Sequence, residues 1–369
     1  MAFAVASLRS VARRRWGLAA TLQQVSGPGR LTAAPFSSAV LSNHYDTGSL
    51  LRSPTPDDVN AFREMLGQSP GSVLTSLEDV ESYNTDWTKH YQGTSSLVLR
   101  PKSTKEVSDI LRYCDDHYLG VVPQAGNTGL VGGSIPVASA PAQEVILSIE
   151  RMNQITSWNP TTGIITGQAG GILQDWQDYA QQKGVMIPVD LGSKGSCLIG
   201  GTVSTNAGGQ YYARYKSLHA NVVGLEVVLA GGEILRLNLQ ETTSNNNDKE
   251  SKNNTVLCNL KDNTGYDLKH LFIGAEGSLG IVTKVALWCS SAYPTSRCAV
   301  LCACTSLEQV QECLPVARRV LGETLAAFEF MDQAVTELVA ANCSGSISGM
   351  IPQQQRAMTT IHFIHIIAF

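Results

Sequence analysis

Four glycines, Gly126, Gly129, Gly132 and Gly133, stand in one short run, Val121-Val-Pro-Gln-Ala-Gly-Asn-Thr-Gly-Leu-Val-Gly-Gly-Ser-Ile-Pro136. Glycine reaches φ > 0 freely and lets a ligand come close to the backbone. Successive N–H groups in such a turn make a concave site for an anion, and phosphate is the anion that such loops commonly hold. No Gly-Lys-Ser/Thr follows, which excludes a Walker A loop, and the spacing G-x-x-G-x-x-G-G is not that of a G-x-G-x-x-G fingerprint. A Gly-rich surface turn would explain the run equally well if it stood alone.

Two further blocks follow. Pro188-Val-Asp-Leu-Gly-Ser-Lys-Gly-Ser-Cys-Leu-Ile-Gly-Gly-Thr-Val-Ser-Thr-Asn-Ala-Gly-Gly209 is rich in Gly, Ser and Asn, and Phe272-Ile-Gly-Ala-Glu-Gly-Ser-Leu-Gly-Ile-Val282 is the third. Three such blocks in this order resemble the vanillyl-alcohol-oxidase type of FAD-binding domain, also called the PCMH type. The wording of 123–134, 190–197 and 261–269 resembles the 2-hydroxyglutarate branch of that superfamily. The resemblance covers roughly residues 50–341. It implies that the loop carrying Gly126, Asn127, Thr128, Gly129, Leu130, Gly132 and Gly133 cradles a pyrophosphate through backbone N–H groups. It implies a second FAD contact at Pro188, Asp190, Gly192, Ser196, Gly200, Gly201, Thr205, Asn206 and Gly208. A third is implied at Gly277, Gly280 and Ile281, against the adenine and ribose. Glu226 and Glu276 receive no role. The family usually has Gly where Ala125 stands. Asn127 takes the place of a histidine that bonds covalently to the flavin in some members, so the FAD is expected to be dissociable.

The family reaction is oxidation of D-2-hydroxyglutarate to 2-oxoglutarate, a hydride passing to the flavin. Family members hold a divalent metal of the zinc type with two His and a Glu, in a His-x-Gly-Asp-Gly-Asn-x-His region near their C-terminus. This chain has no such region, so that metal is not expected here, the catalytic residues are unassigned, and the chain reads as a truncated form that could lack activity. Alternative readings are a D-lactate-type flavin dehydrogenase and a non-catalytic FAD-binding fragment. The expected partners are a small 2-hydroxy dicarboxylic acid and an electron-transfer flavoprotein as acceptor.

Residues 1–45 contain no Asp or Glu and carry Arg9, Arg13, Arg14, Arg15 and Arg30 among serines and small apolar residues. That is the composition of a mitochondrial transit peptide and points to the matrix. Over the 369 residues, 43% hydrophobic and 16% charged content is that of a folded globular protein. A net charge of −4 offers no basic face to nucleic acid, and no apolar run is long enough to span a membrane. The nine cysteines show no metal spacing and no C-x-x-C, and they read as free thiols.

Around the blocks, Thr55 reads as a cap, Pro56 as a first-turn proline and Gly67 as a helix stop. Ser103-Thr-Lys-Glu106 reads as a capping box ahead of Val107, Ile110, Leu111 and Cys114 at helical spacing, with Gly120 as the stop. Strands are expected at 97–99, 121–122, 145–149, 164–168 and 281–288, a helix at 172–183, and a hairpin around Gly231-Gly232. The fold class is therefore α+β: a PCMH-type FAD-binding domain of two α/β subdomains, then the first half of an α+β substrate-binding cap. The expected boundaries are a leader at 1–45, an N-terminal helical segment at 46–92, and the FAD domain at 93–290 with a mobile polar insertion at 240–256. A partial cap at 291–341 and an atypical tail at 342–369 complete the chain. The tail shows no caps and no clean period. Its His362 and His365 would share a face only if it were helical.

Overall fold

The computed structural model describes residues 51–138, 140, 142–242, 255–291, 298–342 and 362–368. The leader expected over 1–45, the tip of the polar insertion and most of the tail after Asn342 lie outside the described residues.

Helix α1 (Pro56–Met65) starts on a reciprocal cap between Thr55 and Asp58. The Asp58 carboxylate is only 2% exposed. It accepts both arms of the Arg52 guanidinium at 2.6 and 2.7 Å and the Tyr113 hydroxyl at 2.9 Å. That pairing makes its burial tolerable and holds its pKa well below the usual carboxylate range. After β1 (Val73–Leu74) and α2 (Leu77–Asn84) the chain enters β2 (Val98–Leu99). Helix α3 (Thr104–Asp116) buries Val107, Ile110, Leu111 and Cys114 as its spacing requires. Its cap is Ser103, but Glu106 returns to the N–H of Lys102, one residue further back than a standard box. The stop is Tyr118 at φ 57°, not Gly120, with Leu119 N–H bonded back to Cys114.

Strands β3 (Val121–Gln124) and β4 (Val145–Ser148) complete the first sheet, ordered β1-β2-β4-β3. β4 lies in its middle, parallel to β2 and β3, with all four residues buried. A strand covered on both faces reads as a continuous apolar run. The first glycine block leaves the C-terminal end of β3, the edge at which open α/β sheets hold ligands.

The second sheet contains β5 (Ile155–Asn159), β6 (Ile164–Gln168), β8 (Val222–Val228), β9 (Ile234–Leu237) and β12 (Ile281–Trp288), in the order β5-β6-β12-β8-β9. The last strand in sequence is thus the central one, antiparallel to both neighbours. Helix α4 (Leu173–Gln182) packs Trp176 at 0% exposure, and one core runs from Phe62 and Leu99 through Trp176 to Val285. Short elements follow α4 at β7 (Val185–Met186), α5 (Ile199–Ser204) and α6 (Tyr212–Tyr215).

The ends of the polar insertion pair as a ribbon, β10 (Gln240–Thr242) with β11 (Thr255–Leu257). Asn238, at φ 55°, clamps its base through Asn259, donating to the carbonyl at 2.7 Å and accepting from the N–H at 3.0 Å.

Past α7 (Lys269–Phe272), β12 and β13 (Ser290–Ser291), the residues expected to form a partial cap make β14 (Cys298–Cys304), α8 (Leu307–Leu321), β15 (Leu325–Met331) and α9 (Gln333–Asn342). The tail does not stay apart from it. Residues 362–368 form β16, the middle strand of a sheet ordered β14-β16-β15 and antiparallel to both neighbours. A strand enclosed by two others need not alternate polar and apolar residues, which is why the tail showed no period. Its extended backbone also removes the helical face that His362 and His365 would have shared. Ile367, 2% exposed, joins this sheet to Tyr211 and Tyr215 beside α6.

Candidate functional site

Two glycines permit the three blocks to meet. A Cβ on Gly126 would stand 2.2 Å from the Ser196 carbonyl oxygen, so the first and second blocks touch backbone to backbone. A Cβ on Gly277, at φ 78°, would stand 2.6 Å from Pro123 Cγ, which brings the third block against the root of the first. The third block is also bonded to the end of α5, Glu276 N–H to Ser204 O at 2.8 Å and Gly274 N–H to Val203 O at 3.2 Å.

The three blocks enclose a cavity of about 440 Å³. Its wall includes Gly126, Asn127, Thr128, Gly129, Leu130 and Gly133 from the first block, Gly200, Gly201 and Thr205 from the second, and Gly277, Gly280 and Ile281 from the third. The remaining expected residues lie outside the wall. Gly132, at φ 75°, turns the loop against the Tyr91 ring, where a Cβ would come within 2.6 Å. The Asp190 side chain is held by Lys194 at 3.0 Å, while its carbonyl accepts from Gln210. Asn206, at φ 50°, accepts from the His219 N–H at 3.0 Å. Gly208 gives room to Tyr212, whose ring carbon would lie 2.8 Å from a Cβ. Pro188 and Gly192 bracket Leu191, which does reach the wall. Ser196 faces a second, more polar cleft behind Gln124–Asn127, where Arg100 pairs with Glu150 and Arg151 bonds Ser69.

Sequence reasoning passed over Ser193, Cys197, Leu198, Ser204 and Glu276, all on the wall. Burial pushes the Cys197 thiol up from its ordinary value, so it is a neutral group there. The Asn127 side chain is engaged within the protein. At φ 49° its amide donates to Thr85 O at 2.8 Å and accepts from the Ser134 hydroxyl at 2.8 Å. Ala125 does not have a positive φ, so the missing glycine costs nothing at that position.

The cavity's donors suit a diphosphate. None of the backbone N–H groups from Gly126 to Val131 has an acceptor among the described residues. Amides left unpaired by the protein call for a ligand or solvent to satisfy them. Leu130 and Val131 stand 59% and 72% exposed at the loop, apolar cover for a planar ligand. No Lys, Arg or His among the described residues lines the wall. The residues present therefore fit a dinucleotide held by backbone donors. No cluster of three His, Cys, Asp or Glu groups able to hold a metal exists among the described residues.

Behind the wall the His219 and His270 rings stack at 4.3 Å and 15°. Burial, together with Lys269 and His219, lowers the His270 pKa from its ordinary 6.5, against a smaller opposing pull from Asp267. The folded state then resists a proton that the unfolded chain accepts below about pH 6.5. Stability is expected to fall as pH drops through that value. From pH 7.5 to 5.5 the wild type should lose melting temperature relative to His270→Gln, and parallel curves would exclude the effect.

The comparisons accord with this geometry. Residues 95–238 match the family model described as an FAD binding domain. The chain is 48% identical over 290 residues to a probable mitochondrial D-2-hydroxyglutarate dehydrogenase of Oryza sativa subsp. indica, covering 78% of this chain and 47% of that protein. It is 45% identical over 285 residues to the mitochondrial D-2-hydroxyglutarate dehydrogenase of Danio rerio, covering 77% of this chain and 49% of that protein. An alkyldihydroxyacetonephosphate synthase structure superposes with a TM-score of 0.69 at 16% identity, covering 86% of this chain and 58% of that one, a likeness of fold alone. The chain spans about half the length of the curated relatives it matches. A domain match over the glycine blocks and identities of this size over most of the chain lead to one conclusion: the chain belongs to the FAD-binding family that contains the D-2-hydroxyglutarate dehydrogenases.

Proposed function

We propose that the chain is the FAD-binding part of a mitochondrial matrix enzyme that oxidises D-2-hydroxyglutarate to 2-oxoglutarate. One observation carries the cofactor half of this reading: three glycine blocks meet around one cavity whose loop amides, Gly126 to Val131, have no acceptor among the described residues. The naming of the relatives carries the substrate half and the compartment. The flavin, when bound, supplies the hydride acceptor. The chain's own residues hold and enclose it. The 126–131 amides bond the diphosphate, Leu130 and Val131 exclude water from the ligand, and the uncharged Cys197 thiol keeps that part of the wall free of charge. Asn127 stands where some family members carry the histidine that bonds the flavin, and a carboxamide forms no such bond, so the FAD is exchangeable. An electron-transfer flavoprotein is the proposed acceptor.

A second reading is an FAD-binding chain without turnover. One experiment separates the two. The purified chain is expected to show flavin absorption bands that leave with the supernatant after acid precipitation. Bleaching by D-2-hydroxyglutarate supports the dehydrogenase, and bleaching by D-lactate alone supports the D-lactate alternative. Bands that neither acid bleaches support the binding-only reading, and a colourless chain refutes the cofactor assignment.

A further inference from the structure

Among the described residues, Glu276 is the only charged side chain on the wall of the cavity. Its backbone is held at φ 52° by the bond from its N–H to Ser204 O, a conformation that a non-glycine residue adopts at a cost. Its carboxylate makes no hydrogen bond or ion pair with any described residue. Oε2 instead reaches the first block, 3.4 Å from where a Cβ on Gly133 would lie. The side chain thus spans from the third block to the first.

Resting on the FAD reading above, we infer that Glu276 receives a sugar hydroxyl of the bound dinucleotide and selects for it. An acceptor-only group with no cation nearby repels a diphosphate. The part of the ligand facing it must therefore bring donors, and the sugars of a flavin dinucleotide carry hydroxyls on both halves. The diphosphate is left to the uncharged amides of 126–131. The same carboxylate discriminates against a nucleotide with a phosphate on that sugar, since two anions would share a site without a counter-charge.

The test is equilibrium titration of the full chain, stripped of flavin, with FAD, ADP and FMN, followed by flavin fluorescence or by heat. Glu276→Gln keeps the length and the backbone strain. Glu276→Gly removes the side chain and suits the positive φ, so neither variant threatens the fold, and melting curves check this. A hydrogen bond to a charged group implies about a tenfold or greater loss of FAD affinity on its removal. Glu276→Gln is expected to show a weaker loss than Glu276→Gly. A matching loss for ADP assigns the adenosine ribose, and one for FMN assigns the ribityl chain. Unchanged or tighter FAD binding by Glu276→Gln would overturn the inference, as would a loss seen with FAD but with neither half. A wild-type chain that binds no FAD would overturn the cofactor reading itself, a result distinct from the other two.

Discussion

The Gly126→Ala chain is expected to purify without flavin and to melt well below the wild type. The added methyl would stand 2.2 Å from Ser196 O and 3.0 Å from Cys197 Cα, both backbone atoms that no rotamer change can move. Relief requires the first and second blocks to separate, at a cost of about 1–3 kcal/mol or more for an overpacked site. Separation displaces the amides from Gly126 onward that the diphosphate needs. Gly195→Ala is the control. It lies in the second block but off the cavity wall, has nothing within 4 Å of its Cβ and no positive φ, so it should bind FAD as the wild type does. Flavin absorbance per mole of protein, read beside a melting curve, decides the matter. Equal flavin content in the two variants would mean that the blocks are not in backbone contact.

Ending the chain before His362 should unfold the small third sheet while leaving the flavin domain folded. β16 pairs with β14 over Cys298–Cys304 and with β15 over Leu325–Met331, so without it both lose their only partner in that sheet. Two separated strands under helices form no stable unit. The loss also removes Ile367 from the core it shares with Tyr211, Tyr215, Ala326 and Ala327. Removing a large buried aliphatic side chain costs about 2–5 kcal/mol by itself. Proteolysis that follows the open population should then cleave residues 298–342 roughly a hundredfold faster. The main core, from Phe62 to Val285, contains no residue of this sheet, so the principal melting transition should remain. Unchanged protease resistance at 298–342 would show that β16 does not hold the sheet.

The sequence made the backbone of the site legible far better than its side chains. Gly126 and Gly277 stood out because a close approach to the backbone demands glycine, and the structure finds one at the Ser196 main chain and one at the Pro123 ring. Cys197, Leu198 and Ile149 look like any core residue in one dimension, and only the fold turns them to the cavity. Asn127 is a different case. An Asn in the left-handed region readily bonds its own surroundings, here Thr85 and Ser134, and Thr85 lies far from it in sequence. Local signals fixed α1 and α3, since caps and spacing act within a few residues. The stop at Tyr118 escaped because glycine is only the commonest residue at such a position. β16 escaped because its pairing partners lie about 40 and 60 residues upstream, and a centre strand carries no pattern of its own.

The central place of β12 has a consequence for biosynthesis. β6 and β8 are made early, yet each finds its shared neighbour only when residues 281–288 emerge. At about 5–20 residues per second, a nascent chain completed through Val228 waits several seconds with two open sheet edges. Gly277 and Gly280 arrive on the ribosome's last few residues before that strand. Closing the sheet and finishing the cofactor cavity are therefore a single late event, and the newborn chain cannot bind its flavin before it has hidden its own edges.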